Sequence, residues 1–159
     1  MEAKLPFFNP FDRSQRVLEQ AIGQLLCVGF QGTDALPDAV SQALSTGQIG
    51  GVILFRRNVE SPGQVAALNA QIHAAASQAV AAPFVAVDQE GGRVARLREP
   101  LTLIPPMRVL GDTNDTKLVS AVSEVMATEV SALGFNLNFA PVLDVDTNPD
   151  NPVIGDRAF

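Results

Sequence analysis

The sequence predicts an α/β fold built on a parallel sheet, and three features carry that expectation. Segments with helical apolar spacing alternate along the chain with short, continuous apolar runs. Those runs are apolar on both faces, as strands covered on both sides by helices must be. No two of them are joined by a two-residue hairpin turn, so each connection is read as a crossover. An open doubly wound sheet and part of a (β/α)8 barrel both satisfy this order.

Residues 1–13, with Pro6, Phe7, Phe8, Pro10 and Phe11, are too apolar for a free tail and are read as an irregular arm ahead of one domain over 14–159. From Ser14, Val17, Leu18, Ala21, Ile22 and Leu25 repeat at three- and four-residue spacing, which predicts a helix. Leu25 to Phe30 follows as a short buried strand, with Cys27 as a small core residue. Pro37 in a first turn, then Val40, Ala43 and Leu44, with Gly47 as the stop, predict the next helix. Gly51 to Phe55 is apolar throughout and too short for a helix, so it is read as a strand buried on both faces. Ser61 caps a helix with Pro62 at its first position and Val65, Leu68, Ile72, Ala75 and Ala79 on one face.

Pro83 to Val87 is the third strand, and a loop carrying Gly91, Gly92, Pro100, Pro105 and Pro106 leaves it. A helix over about Thr116 to Leu133 turns Leu118, Val122, Val125, Met126 and Val130 inward and stops at Gly134. Phe135 to Leu143 is the fourth strand. A nucleotide-binding doubly wound sheet favours a Gly-x-Gly-x-x-Gly turn after its first strand. Gly29-Phe30-Gln31-Gly32 does not supply it, and no lysine-bearing phosphate loop exists.

Composition narrows the function classes. Of the 159 residues 47% are apolar and 18% charged, the balance of a globular domain, and a complete barrel needs roughly 250 residues. A net charge of -6 repels nucleic acid and anionic membrane. The single cysteine forms no internal disulfide and agrees with a reducing cytoplasm, and Met1 to Pro6 has no apolar core of a secretory signal. The stretch Ser61 to Val87 lacks Asp, Glu, Lys and Arg, but its amides, His73 and Pro83 exclude a membrane span. Without Trp or Tyr, two residue types that stack on sugars and bases are missing.

The charged residues gather where strands end. The second strand runs into Arg56-Arg57-Asn58, the third into Asp88-Gln89-Glu90-Gly91-Gly92-Arg93 with Arg96 and Arg98 beyond, and the fourth leads to Asp144, Asp146, Asp156 and Arg157. Strand starts at Gly50-Gly51, Ala82-Pro83 and Gly134-Phe135 carry no charge. Parallel α/β proteins bind ligands at the carboxyl ends of strands, so this asymmetry points to a polar rim. Asp88 stands where a rigid strand delivers a side chain to a ligand, and it equally suits the cap of the following turn. Arg93 and Arg96, three apart, fit one face of a helical turn and offer donor forks to hydroxyls, carboxylates or phosphates. Arg57 fits a structural ion pair at the same rim. Asp88, Glu90, Asp144 and Asp146 raise the question of a divalent cation, but their spacing matches no metal motif and arginines stand beside them. His73 lies inside a helix, away from any strand end, and is read as a packing residue; no nucleophile triad is available.

Four ordered motifs carry a resemblance: Gly50-Gly51-Val52-Ile53-Leu54-Phe55-Arg56-Arg57-Asn58, then Val87-Asp88-Gln89-Glu90-Gly91-Gly92-Arg93-Val94-Ala95-Arg96-Leu97, then Asn136-Leu137-Asn138-Phe139-Ala140-Pro141-Val142-Leu143-Asp144-Val145, and Asn151-Pro152-Val153-Ile154-Gly155-Asp156-Arg157-Ala158-Phe159. Together they resemble the N-terminal barrel domain of family-3 glycoside hydrolases, most of all the bacterial β-N-acetylglucosaminidases that trim cell-wall fragments. The resemblance implies a partial (β/α)8 barrel, about its first four parallel strands with their helices. It implies a rim that binds a terminal N-acetylglucosamine through Asp88, Arg96 and Arg157, with no cofactor and no metal. In the family a Lys-His segment, a His-Asp acid/base pair and an aspartate nucleophile come later in the barrel and perform a retaining hydrolysis. None of those catalytic positions falls within these residues, so the isolated chain is expected to be inactive. Unpaired strand edges at Leu25 to Phe30 and Phe135 to Leu143 are expected to drive self-association. A family-3 glucosidase and a non-catalytic sugar-binding or structural module are the alternatives.

Overall fold

The computed structural model describes residues 10–148 and 150–159 of the chain. Helices α1 (Pro10–Gly23), α2 (Asp38–Thr46), α3 (Pro62–Ala75), α4 (Met107–Gly111) and α5 (Thr116–Ala132) alternate with strands β1 (Cys27–Val28), β2 (Gly51–Leu54), β3 (Phe84–Val87), β4 (Gln89–Gly91), β5 (Val94–Ala95) and β6 (Leu137–Asn138). Strands β1, β2, β3 and β6 form one parallel sheet in chain order. A doubly wound sheet reverses its strand order at a switch point, whereas a barrel adds strands in succession. The observed order therefore settles the choice left open by the sequence in favour of part of a (β/α)8 barrel.

The helix ends are written locally. At α3 the Ser61 side chain accepts from the Gln64 N–H at 3.2 Å and Pro62 occupies the first turn, where its missing N–H costs nothing. At α2 Pro37 is the cap rather than the first helical residue, and Gly47 ends the helix at φ 75°, a left-handed conformation that a side chain disfavours. Asp115 caps α5 by accepting from Lys117 N and Leu118 N.

The core lies between β2–β3 and the helices α2 and α3. Val52, Leu54, Val85 and Val87 are buried with Leu44, Val65, Leu68 and Ile72. The β2–β3 register runs from Gly51 opposite Phe84 to Leu54 opposite Val87. Gly51 has no room for a side chain, since a Cβ there falls 2.6 Å from the Phe84 carbonyl oxygen. His73 is a packing residue as expected: its Nε2 lies 2.8 Å from the Gly134 carbonyl oxygen and ties α3 to the end of α5.

Several expectations need correction. Helix α1 begins at Pro10, four residues before Ser14, while residues 1–9 of the expected arm lie outside the described residues. Its apolar stripe does not enter the core: Val17, Leu18 and Ile22 are exposed. The first strand is only Cys27–Val28, Leu25 and Leu26 are exposed, and Cys27 is an exposed free thiol rather than a core residue. The fourth strand is only Leu137–Asn138, with Leu143 and Val145 exposed beyond it. On α5 Val130 is buried and Val122 and Met126 are half-buried, but Leu118 and Val125 are exposed. These misplacements share a cause. Among the described residues no strand pairs with the outer edge of β1 or β6, so the apolar residues there have nothing to cover them.

The hairpin-free expectation also fails. Strands β4 and β5 form an antiparallel pair turned by Gly92 and Arg93, with Gly91 at φ 100° and Gly92 at φ 54°. Positive φ at the first turn residue, Gly92, is what such a tight turn demands, and Gly91 marks an irregularity in the register before it.

Candidate functional site

The β4–β5 hairpin rises from the carboxyl end of β3 and carries most of the rim. Its inner member is Gln89, which is buried and closes the hairpin with its amide: Oε1 accepts from Arg96 N at 2.9 Å and Leu97 N at 3.0 Å, and Nε2 donates to Leu97 O at 3.0 Å. Asn138 of β6 locks the same point, accepting from Gln89 N at 3.0 Å and donating to Gln89 O at 2.9 Å. Asn136 does likewise one pleat earlier, accepting from Val85 N at 2.7 Å and donating to Pro83 O at 2.8 Å. Two asparagine side chains thus complete a ladder that the short β6 leaves unfinished.

On this scaffold Asp88 Oδ2 accepts from Arg96 Nη2 at 2.8 Å, and both side chains are about three-quarters covered. Arg96 Nε is buried without a partner. The turn Gly155–Arg157 brings the third expected residue to the hairpin from the far end of the chain. Arg157 donates from Nε and Nη2 to the two Glu90 oxygens, both at 2.8 Å, and from Nη1 to Val153 O at 3.1 Å. The hydrogen-bonded Glu90 carboxylate, outweighing burial, raises the Arg157 pKa above its ordinary value, and the charges of Glu90, Asp144 and Asp88 add to it. Arg157 is therefore a permanent cation within the field of all three carboxylates.

Three of the five N–H donors of Arg157 are engaged, which leaves two, and Arg96 uses a single one. Asp88 keeps Oδ1 without a partner among the described residues. The rim so presents a carboxylate acceptor beside two guanidinium donors, a set that matches vicinal hydroxyls, each of which both donates and accepts.

The other charged residues singled out from sequence do different work. Arg93 and Arg96 do not share a helical turn: Arg93 sits in the hairpin turn and pairs with Asp156 at 3.2 Å, while Arg96 follows β5. Arg57 makes no ion pair among the described residues; it donates to Phe30 O at 3.0 Å and covers the Phe55 ring at 4.4 Å. Arg98 and Asp144 are exposed, and Asp146 pairs with Arg108 at 2.9 Å. Asp88 and Glu90 each face an arginine, and no group of three or more His, Cys, Asp or Glu among the described residues is placed to hold a metal ion. Glu90 as the anchor of Arg157, Gln89 as the brace of the hairpin and Asn138 as its lock escaped the sequence reading. The Gly91-Gly92 pair, a turn signal directly after Gln89 and Glu90, is the signal that was there to be used.

Comparison with known proteins identifies the family. A family model described as glycosyl hydrolase family 3 N terminal domain matches residues 17–159. A beta-hexosaminidase of Nitrosomonas eutropha is 48% identical in an alignment of 122 residues that covers 73% of this chain and 34% of the relative. Among solved structures, a glycoside hydrolase family 3 beta-N-acetylglucosaminidase from Paenibacillus sp. superposes with a TM-score of 0.81 at 40% identity, covering 88% of this chain and 27% of that one. NagZ from Neisseria gonorrhoeae in complex with N-trifluoroacetyl-D-glucosamine superposes with a TM-score of 0.71 at 40% identity, covering 83% of this chain and 40% of that one. The chain spans about a third of the length of the curated relatives it matches.

Proposed function

This chain belongs to the glycosyl hydrolase family 3 N-terminal domain family, and we propose that it supplies the sugar-binding rim of a β-N-acetylhexosaminidase. The observation that carries the reading is the gathering of Asp88, Arg96 and Arg157 on the hairpin that follows β3, with Asp88 Oδ1 and part of each guanidinium unspent. Asp88 Oδ1 accepts from a hydroxyl of a terminal sugar, and the free N–H groups of Arg96 and Arg157 donate to the same or neighbouring hydroxyls. Held on a braced hairpin, these groups fix the ring before any bond is cleaved.

The chemistry itself needs two more groups, a nucleophilic carboxylate and an acid/base close to it. We assign neither to this chain: Asp88 and Glu90 are each committed to an arginine. We place both groups in the rest of such an enzyme, since this chain spans only about a third of its curated relatives' length. The enzyme then acts by retention through a covalent glycosyl intermediate. A 2-acetamido sugar is favoured over glucose because the relatives' names specify it, since one aspartate and two arginines read hydroxyls and not the acetamido group. We further place the protein in the cytoplasm, acting on cell-wall-derived saccharides. The single cysteine supports the reducing compartment, and no described helix is long and apolar enough to cross a membrane.

The test is calorimetric titration with N-acetylglucosamine, paired with an assay on 4-nitrophenyl N-acetyl-β-glucosaminide. The chain binds the sugar and releases no nitrophenolate, and Asp88→Ala and Arg157→Ala each weaken binding at least about tenfold. Binding unaffected by either substitution overturns the site. Turnover by the chain, lost in both variants, overturns the division between a binding half and a chemical half. Glucose binding as tightly as N-acetylglucosamine favours the glucosidase alternative.

A further inference from the structure

Arg157 is delivered by a segment that has few backbone hydrogen bonds of its own. Residues 150–154 belong to no helix or strand, and their internal bonds are local ones, such as Val153 N to the Asn151 side chain at 2.9 Å. Carbonyl groups in such a segment need partners from elsewhere. Arg93 provides them. From the hairpin turn its Nη1 donates to Pro152 O at 3.1 Å and its Nη2 to Val153 O at 2.7 Å and Ile154 O at 3.0 Å. Its Nε faces Asp156 Oδ1 at 3.2 Å. One guanidinium thus holds three consecutive carbonyls and the carboxylate next to Arg157.

The link to the rim is a shared atom. Val153 O accepts from Arg93 at 2.7 Å and from Arg157 at 3.1 Å, so the two guanidinium groups are tied through one carbonyl oxygen. The hairpin therefore grips Arg157 at both ends of its fork, with Glu90 on Nε and Nη2 and Arg93 acting on Nη1 through the backbone. The ion pair with Asp156 is not the main element. Both side chains are about half exposed, and an exposed pair is worth little. The planar fork is what spans three carbonyls, and lysine has no equivalent.

We propose that Arg93 is a positioning residue for sugar binding: its contacts with Pro152, Val153 and Ile154 hold the Arg157 guanidinium in its ligand-competent place. The proposal rests on the reading of Arg157 as a sugar contact.

It is tested in the full chain by two measurements on wild type, Arg93→Ala and Arg93→Lys: solvent exchange of the Arg157 Nε–H by NMR, and calorimetric affinity for N-acetylglucosamine. In wild type the Nε–H is protected by Glu90. Arg93→Ala accelerates its exchange at least about tenfold, leaves the amides of β2 and β3 protected, and weakens sugar binding about tenfold, as loss of a supporting contact does. Arg93→Lys, which keeps charge beside Asp156 without the fork, lies between. Wild-type exchange at Arg157 in the alanine variant overturns the proposal, and so does accelerated exchange with unchanged affinity. If the alanine variant loses protection in β2 and β3, the lysine variant decides by the same two criteria. A wild type that binds no sugar refutes the functional reading alone, and the exchange rates still decide whether Arg93 holds Arg157.

Discussion

Glu90 is the one carboxylate buried among the described residues, and its burial is tolerable because Arg157 satisfies both oxygens. Removing one partner leaves the other partly covered and unpaired. Glu90→Ala is therefore expected to destabilise the chain by about 2 kcal/mol in urea unfolding, whereas Asp156→Asn, at an exposed pair, changes stability by less than about 1 kcal/mol. Cys27 makes the opposite point about position and reactivity. It is exposed, yet desolvation by its surroundings pushes the thiol up from its ordinary value. Less thiolate is present near pH 8, so iodoacetamide modifies it more slowly than an unstructured cysteine peptide, and the gap closes as pH rises through the shifted value. The placement of Asp88 and Arg96 just beyond β3 was legible in the sequence because the apolar run of that strand ends at Val87. The partner of Arg157 was not, because Glu90 lies 67 residues away and only the fold brings the two together.

The helices and inner strands were legible wherever a local rule suffices. Ser61-Pro62 starts α3, Gly47 stops α2, and the apolar runs of β2 and of β3 after the exposed Phe84 are covered on both faces. Ser61→Ala should cost about 1 kcal/mol, read as a lowered urea midpoint. The outer strands were overestimated, because Leu25 to Phe30 and Phe135 to Leu143 are apolar without having backbone partners along their length. The β4–β5 hairpin was missed because its buried positions are Gln89 and Glu90, which no apolar alternation marks. Its turn is under tight constraint: a Cβ on Gly91 falls 2.5 Å from Pro105 O at a φ of 100°. Gly91→Ala is expected to destabilise by about 2 kcal/mol or more and to weaken sugar binding, because strain in the turn displaces Glu90 and Arg93 together. Denaturant titration and calorimetry on the same variant check both halves of that statement.

At the scale of the molecule, the sheet has two open edges and apolar surface beside each. Val17, Leu18 and Ile22 of α1 are exposed near β1, and a groove of about 460 Å³ lined by Met126, Val130, Phe135 and Leu137 runs between α5 and β6. Unpaired edges and uncovered apolar faces associate. Sedimentation velocity of the isolated chain is expected to show concentration-dependent association, and a monomer at all concentrations contradicts this. Strand order and site belong together, since the successive parallel arrangement sets the end of β3 beside β6, whose Asn138 locks the hairpin that carries Glu90, the partner of Arg157. The most direct test of the central claim is the response of the arginine side-chain Nε–H resonances to N-acetylglucosamine. Saturable shifts are expected at Arg96 and Arg157 with Arg108 unmoved, and both shifts are expected to be lost in Asp88→Ala. Absence of any shift at Arg96 and Arg157, or shifts that persist without Asp88, contradicts that claim.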